Sequence, residues 1–182
     1  MRNTKTANLT MIGLMTAVLC IMGPLSLVIP ISPVPISLTN FAICLTVILL
    51  GRKRGTIVTL VYLFIGFVGV PVFSAFTGGP GKLIGPTGGY LIGFIFLALI
   101  AGYAVDRFPG NIGWTALGMI VGTLVLYGLG TAWLAYSAGM TFSQALYAGV
   151  IPFIPGDAIK ITIAIMIGFP VKKRLLKAGF IQ

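Results

Sequence analysis

Asp157 and Lys160 are the two residues whose types and spacing most plainly suggest chemistry. They follow Pro155-Gly156, three positions apart, in a run to Pro170 that is otherwise almost wholly apolar. On a helix that spacing places both on one face, one turn apart. Inside a bilayer each charge costs about 2.5–3.5 kcal/mol on insertion scales, less near the membrane edge and less when paired. Such a pair either neutralises itself to anchor the helix end or recognises a ligand. In the second case the carboxylate accepts N–H donors and the ammonium meets an acceptor or an anion. Lys82 is either a solvated loop lysine or a second contact for an anion. Thr39 and Asn40 stand near the end of another apolar run, where they serve a neighbouring helix or a ligand. Phe73, Phe76 and Tyr90 flank a glycine-rich segment and either wall an apolar ligand or anchor at the membrane interface.

Other chemistry is missing. There is no His and no cluster of carboxylates, which removes most metal and acid–base catalysis. No GxxxxGK[ST] loop is present for ATP hydrolysis. A single intramembrane carboxylate gives a proton relay little to work with. Cys20 and Cys44 fall in apolar runs without a paired spacing and read as small core residues. Binding is favoured over catalysis. Any uphill movement of a solute would draw its energy from a partner.

The elements that must position these residues follow from composition. Of 182 residues, 58% are hydrophobic and 8% charged, and the mean hydropathy is +1.10. Soluble domains carry about 25% charged residues, so a soluble enzyme and a nucleic-acid binder are both excluded. The chain is expected to be an all-α integral membrane protein and one membrane-embedded domain over 1–182. At about 20 residues per crossing, six helices fit with short loops. They are expected over Ala7–Val28, Ser37–Leu50, Thr56–Val70, Tyr90–Val105, Ile112–Ser137 and Pro155–Pro170, with a short surface helix over Thr141–Val150. Prolines break the chain at Ile29–Pro35. The segment Val72–Gly89 is expected to be loop. The first apolar run lacks a cleavage site and reads as a span rather than a signal peptide.

The net charge of +10 has a membrane explanation. With six helices, Arg2, Lys5, Arg52, Lys53, Arg54, Arg107, Lys172, Lys173, Arg174 and Lys177 share one side, ten of the twelve basic residues. The positive-inside rule makes that side, and both termini, cytoplasmic. The irregular segments then share the outer side. Their apolar backbone is tolerated only where protein buries it or a cavity adjoins it, so an outward-facing ligand pocket is expected under the loops after the first and third helices. Gly13 with Ala17, and Gly118 with Gly122, are small-xxx-small pairs that permit close helix contact.

Three stretches carry a family resemblance: Pro33-Val34-Pro35-Ile36-Ser37-Leu38-Thr39-Asn40, Gly85-Pro86-Thr87-Gly88-Gly89-Tyr90-Leu91, and Pro152-Phe153-Ile154-Pro155-Gly156-Asp157 with Lys160. Gly69-Val70-Pro71-Val72-Phe73 fits as well. In order and spacing the chain resembles the BioY family, the biotin-specific substrate-binding components of energy-coupling factor transporters. The resemblance implies six helices, an outward pocket and biotin as ligand. The implied partners are a transmembrane coupling protein and two ABC-type ATPases, which use the ATP, with no cofactor in this chain. It implies a multi-pass protein of the bacterial plasma membrane, in contact with membrane lipid. Asp157 would accept from the ureido N–H groups of biotin, Lys160 would donate to the ureido carbonyl or balance Asp157, and Asn40 would complete the polar shell. Lys82 or backbone N–H groups of the loop around Gly85 and Thr87 would meet the tail carboxylate. Thr39, Phe73 and Tyr90 complete the expected contacts. Gly13 and Ala17 stand where the family carries a docking pattern of alanines for the coupling protein. A facilitator or channel without partners would need a continuous polar stripe, and a binding component for another vitamin would share the architecture; these are the competing readings.

Overall fold

The computed structural model describes residues 4–27 and 34–180. Arg2 and the proline stretch over 29–33 lie outside them. Among the described residues the chain forms seven helices and one two-stranded ribbon: α1 (Thr4–Met22), β1 (Ser26–Leu27), β2 (Ile36–Ser37), α2 (Thr39–Phe67), α3 (Pro80–Ile84), α4 (Gly88–Arg107), α5 (Ile112–Ala138), α6 (Phe142–Gly149) and α7 (Ile154–Lys177). Of these, α4, α5 and α7 are long and apolar enough to cross a membrane, and α1 contributes a shorter apolar stretch, Thr6–Met22.

The expected turn at Gly51–Gly55 shrinks to one residue. Gly51 has φ 76° and ψ −176°, and helix resumes at Arg52. That conformation belongs to glycine, because a Cβ has no room in it. A Cβ at Gly51 would also run into the Asp106 carboxylate. The same carboxylate accepts the Arg52 N–H at 3.0 Å and so caps the returning half of α2. The two halves lie side by side, since a Cβ on Gly55 would come within 2.8 Å of Val47 Cγ1. The second and third expected helices are therefore the two halves of one hairpin.

Three other boundaries move. α1 ends at Met22 rather than Val28, because Gly23-Pro24 breaks it and the chain turns into β1. The glycine-rich segment contains α3, started by Pro80 in the first turn, where its missing N–H costs nothing. α7 runs through Pro170 to Lys177 instead of stopping at Pro170. The proline removes one backbone donor, but Lys172–Lys177 is rich in strong helix formers and carries the helix on.

Small residues let the helices approach closely. α4 packs most extensively on α5, and next on α2. Gly118 lies against Ala104, Gly122 lies so that a Cβ would be 2.9 Å from Leu97 Cδ1, and Gly93 lies so that a Cβ would be 3.1 Å from Leu126 Cα. The Gly118/Gly122 pair thus serves packing within the chain. Gly13 and Ala17 instead lie on an exposed face of α1, and a Cβ on Gly13 would meet nothing within 4 Å. α1 rests mainly on α2, and α7 rests on α2 and more lightly on α5. Thr16, Thr46 and Thr59 return their hydroxyls to the carbonyls of Ile12, Ala42 and Gly55, which satisfies them without a second helix.

Candidate ligand-binding site

The first turns of α2, α4 and α7 converge beneath the ribbon β1–β2 and the segment before α3. Tyr62, from the returning half of α2, and Tyr127, from the middle of α5, close the sides. Together they line a cavity of about 580 Å³, open mouth included.

Asp157 organises its polar part. The side chain is buried, and both oxygens are engaged: Lys160 Nζ donates to Oδ1 at 3.0 Å and the Tyr127 hydroxyl donates to Oδ2 at 2.5 Å. Lys160 Nζ also donates to the Ser37 carbonyl at 2.7 Å, tying α7 to the ribbon. Each carboxylate oxygen accepts two hydrogen bonds, so Asp157 keeps capacity for two more donors. Asn40 accepts the Phe41 N–H on Oδ1 at 2.9 Å, and among the described residues nothing takes its NH₂ donors. Thr87 is 8% exposed, lines the cavity, and its Oγ1 has no partner among the described residues. A buried hydroxyl without a partner costs about 1–3 kcal/mol. Tyr90, Leu91, Phe94, Leu126 and Phe153 also line the cavity. The site combines a carboxylate, an ammonium and amide and hydroxyl groups with apolar and aromatic side chains.

Of the residues expected from the sequence, Asp157, Lys160, Thr39, Asn40, Thr87 and Tyr90 meet in this cavity. Phe73, Gly85 and Lys82 are not among its lining. Phe73 is fully buried edge-on to Tyr62, with ring centroids 5.6 Å apart, and its ring covers Gly66. Gly85 ends α3 and accepts the Trp133 indole N–H at 2.9 Å. Lys82 is on α3, where partial burial lowers the pKa of its ammonium. Gly13 and Ala17 lie on the open face of α1, on a different element from any that lines the cavity. Sequence reasoning missed Tyr127, Ser37, Tyr62, Ser74 and Phe153. Tyr127 had a signal: a phenol in the middle of a long apolar helix needs a partner for its O–H, and the one buried carboxylate was the evident acceptor.

The BioY family model matches residues 1–177. The chain belongs to the BioY family. Biotin transporter BioY of Thermotoga maritima is 35% identical over 161 residues, covering 88% of this chain and 93% of that protein. Biotin transporter BioY2 of Lactococcus lactis is 33% identical over 175 residues, covering 96% and 95%. The crystal structure of the S-component for biotin from an ECF-type ABC transporter matches with a TM-score of 0.88 at 30% identity, covering 95% of this chain and 94% of that one. This BioY family member therefore has the S-component fold along nearly its whole length.

Proposed function

We propose that this chain captures biotin from outside the cell, as the substrate-binding component of an energy-coupling factor transporter. The observation that carries the reading is the hydrogen-bonded cluster of Asp157, Lys160 and Tyr127 in a cavity lined by both polar and apolar side chains. Biotin presents two ureido N–H donors and one carbonyl on a fused bicycle with apolar edges. Asp157 accepts the N–H groups with its two spare lone-pair positions. Lys160, the Asn40 NH₂ or the Thr87 hydroxyl donates to the carbonyl. The aromatic and aliphatic wall covers the bicycle. The valerate carboxylate leaves the cavity toward α3, whose residues do not line it, and meets the ammonium of Lys82 there.

In this reading α1, the two halves of α2, α4, α5 and α7 cross the membrane six times, with both termini and the basic turns in the cytoplasm. A transmembrane coupling protein docks on the open face of α1 at Gly13 and Ala17, and two ABC-type ATPases supply the energy. Support comes from the charge segregation, the exposed small-residue face and the similarity to biotin transporters and to the biotin S-component.

Equilibrium binding of biotin to the purified chain in detergent tests the assignment, with thiamine and riboflavin as controls. Selective binding of biotin is expected. Asp157→Asn should weaken it about tenfold to a hundredfold, the cost of hydrogen bonds to a charged group. Unchanged affinity in that variant would remove Asp157 from the site.

A further inference from the structure

A second cavity lies at the opposite, basic end of the molecule, between the returning half of α2 and α4. Arg52, Lys53, Thr56, Ile57, Leu99 and Asp106 line it, and it measures about 680 Å³ with its open side included. The ligand site does not use it. Its fixed charges favour an anion. The Arg52 guanidinium lies over the Tyr103 ring at 5.7 Å, held on the α4 side. The chain has two carboxylate side chains, and neither forms an ion pair with Arg52 or Lys53. Asp106 lines the same cavity and accepts the Arg52 backbone N–H at 3.0 Å, so its negative charge offsets one of the two cations and leaves the lining net positive.

The flanks of this cavity are apolar. From the charged end outward, the returning half of α2 exposes Ile57, Leu60 and Phe64, and α4 exposes Phe96 and Ile92. From Arg52 to Phe64 is twelve helical steps, about 18 Å. That is close to the thickness of one leaflet, about 15 Å of a 30 Å hydrocarbon core. A soluble anion would have no use for such a stripe; an acyl chain would fill it.

We infer that this crevice is a binding site for one acidic phospholipid of the cytoplasmic leaflet. Its phosphate sits between Arg52 and Lys53, and an acyl chain lies along Ile57, Leu60 and Phe64. The phosphate contacts are charge-assisted hydrogen bonds from a guanidinium fork and an ammonium. The inference does not depend on what the outer cavity binds.

Native mass spectrometry of the detergent-purified chain, titrated with phosphatidylglycerol or phosphatidylcholine, tests it. One phosphatidylglycerol should be retained preferentially. The double variant Arg52→Gln/Lys53→Gln should lower its retention about tenfold or more, two surface cations each contributing to acidic-lipid binding. Lys173→Gln/Arg174→Gln removes the same charge from the exposed end of α7 and should leave retention unchanged. Ile57→Trp keeps every charge but fills the crevice and should also displace the lipid, which covers the case in which the charge variant fails to fold. Equal loss in both charge variants would overturn the site in favour of diffuse attraction. Displacement by millimolar inorganic phosphate would overturn it in favour of a soluble anion.

Discussion

Lys160 holds three things at once: the Asp157 carboxylate, the Ser37 carbonyl and one edge of the ligand cavity. Its loss would strand a buried carboxylate, a change that typically costs about 3–5 kcal/mol. Lys160→Met should therefore lower thermal stability strongly and abolish biotin binding. The pair itself is a different matter. Replacing both charges with neutral groups is often neutral for stability, so Asp157→Asn/Lys160→Met should regain most of the thermal midpoint and still fail to bind. Thermal unfolding and ligand titration on the same three samples would check this. If stability and binding recover together, the pair is a structural anchor and not a recognition device. Thr87 belongs with this pair as a polar group for which the folded chain supplies no partner among its described residues. Its hydroxyl sits at the last position before α4, in the glycine-rich motif.

At the scale of elements, Gly51 and Asp106 decide whether α2 is one rod or a hairpin. Any side chain at Gly51 meets a strained backbone and the Asp106 carboxylate. Gly51→Ala should cost about 2 kcal/mol or more, and Asp106→Ala, which removes a helix cap, about 1 kcal/mol. The order of the two thermal midpoints, Gly51→Ala lowest, is the measurement. The hairpin also shows how far the sequence could be read. Arg52-Lys53-Arg54 between glycines announced a reversal, because three adjacent cations do not lie in hydrocarbon. It did not announce that one residue would suffice, since that depends on Asp106, 54 positions away, arriving to cap the second half. Pro155-Gly156-Asp157 likewise marked the start of a helix carrying a charged pair. Tyr127 of α5 signalled only a need for some acceptor, and its pairing with Asp157, 30 positions on, is a contact between distant segments. Pro170 misled in the other direction, because a proline's local penalty was outweighed by the helix formers that follow it. Short-range chemistry was thus legible, and contacts made by distant segments were not.

For the molecule as a whole, the segregation of charge predicts sidedness. Single cysteines placed at Arg54 and Lys82 should react with a membrane-impermeant maleimide from opposite sides of right-side-out and inverted vesicles. The native thiols interfere little, since Cys44 is buried and Cys20 partly so. Labelling of both positions from one side would overturn the six-crossing arrangement. Energy coupling belongs to this scale too. The isolated chain should bind biotin in proteoliposomes without concentrating it, and ATP-driven accumulation should need the coupling protein and the ATPases. Robust uphill uptake by the chain alone would return a partner-free carrier to consideration.

The way α7 is attached has a mechanical consequence. α4 and α5 are closed on each other through glycines, whereas α7 rests on α2 and more lightly on α5, and carries Asp157 and Lys160. In the proposed mode, a ligand held by those two residues and walled by α4 and α5 would fasten a stiff slab to a loosely held strut. Occupancy at a hundred times the dissociation constant adds about 2.7 kcal/mol to stability. That gain should not spread evenly. Amide exchange should slow most along the outer half of α7 and least along the α4–α5 seam, so the vitamin would act as the last piece of the fold.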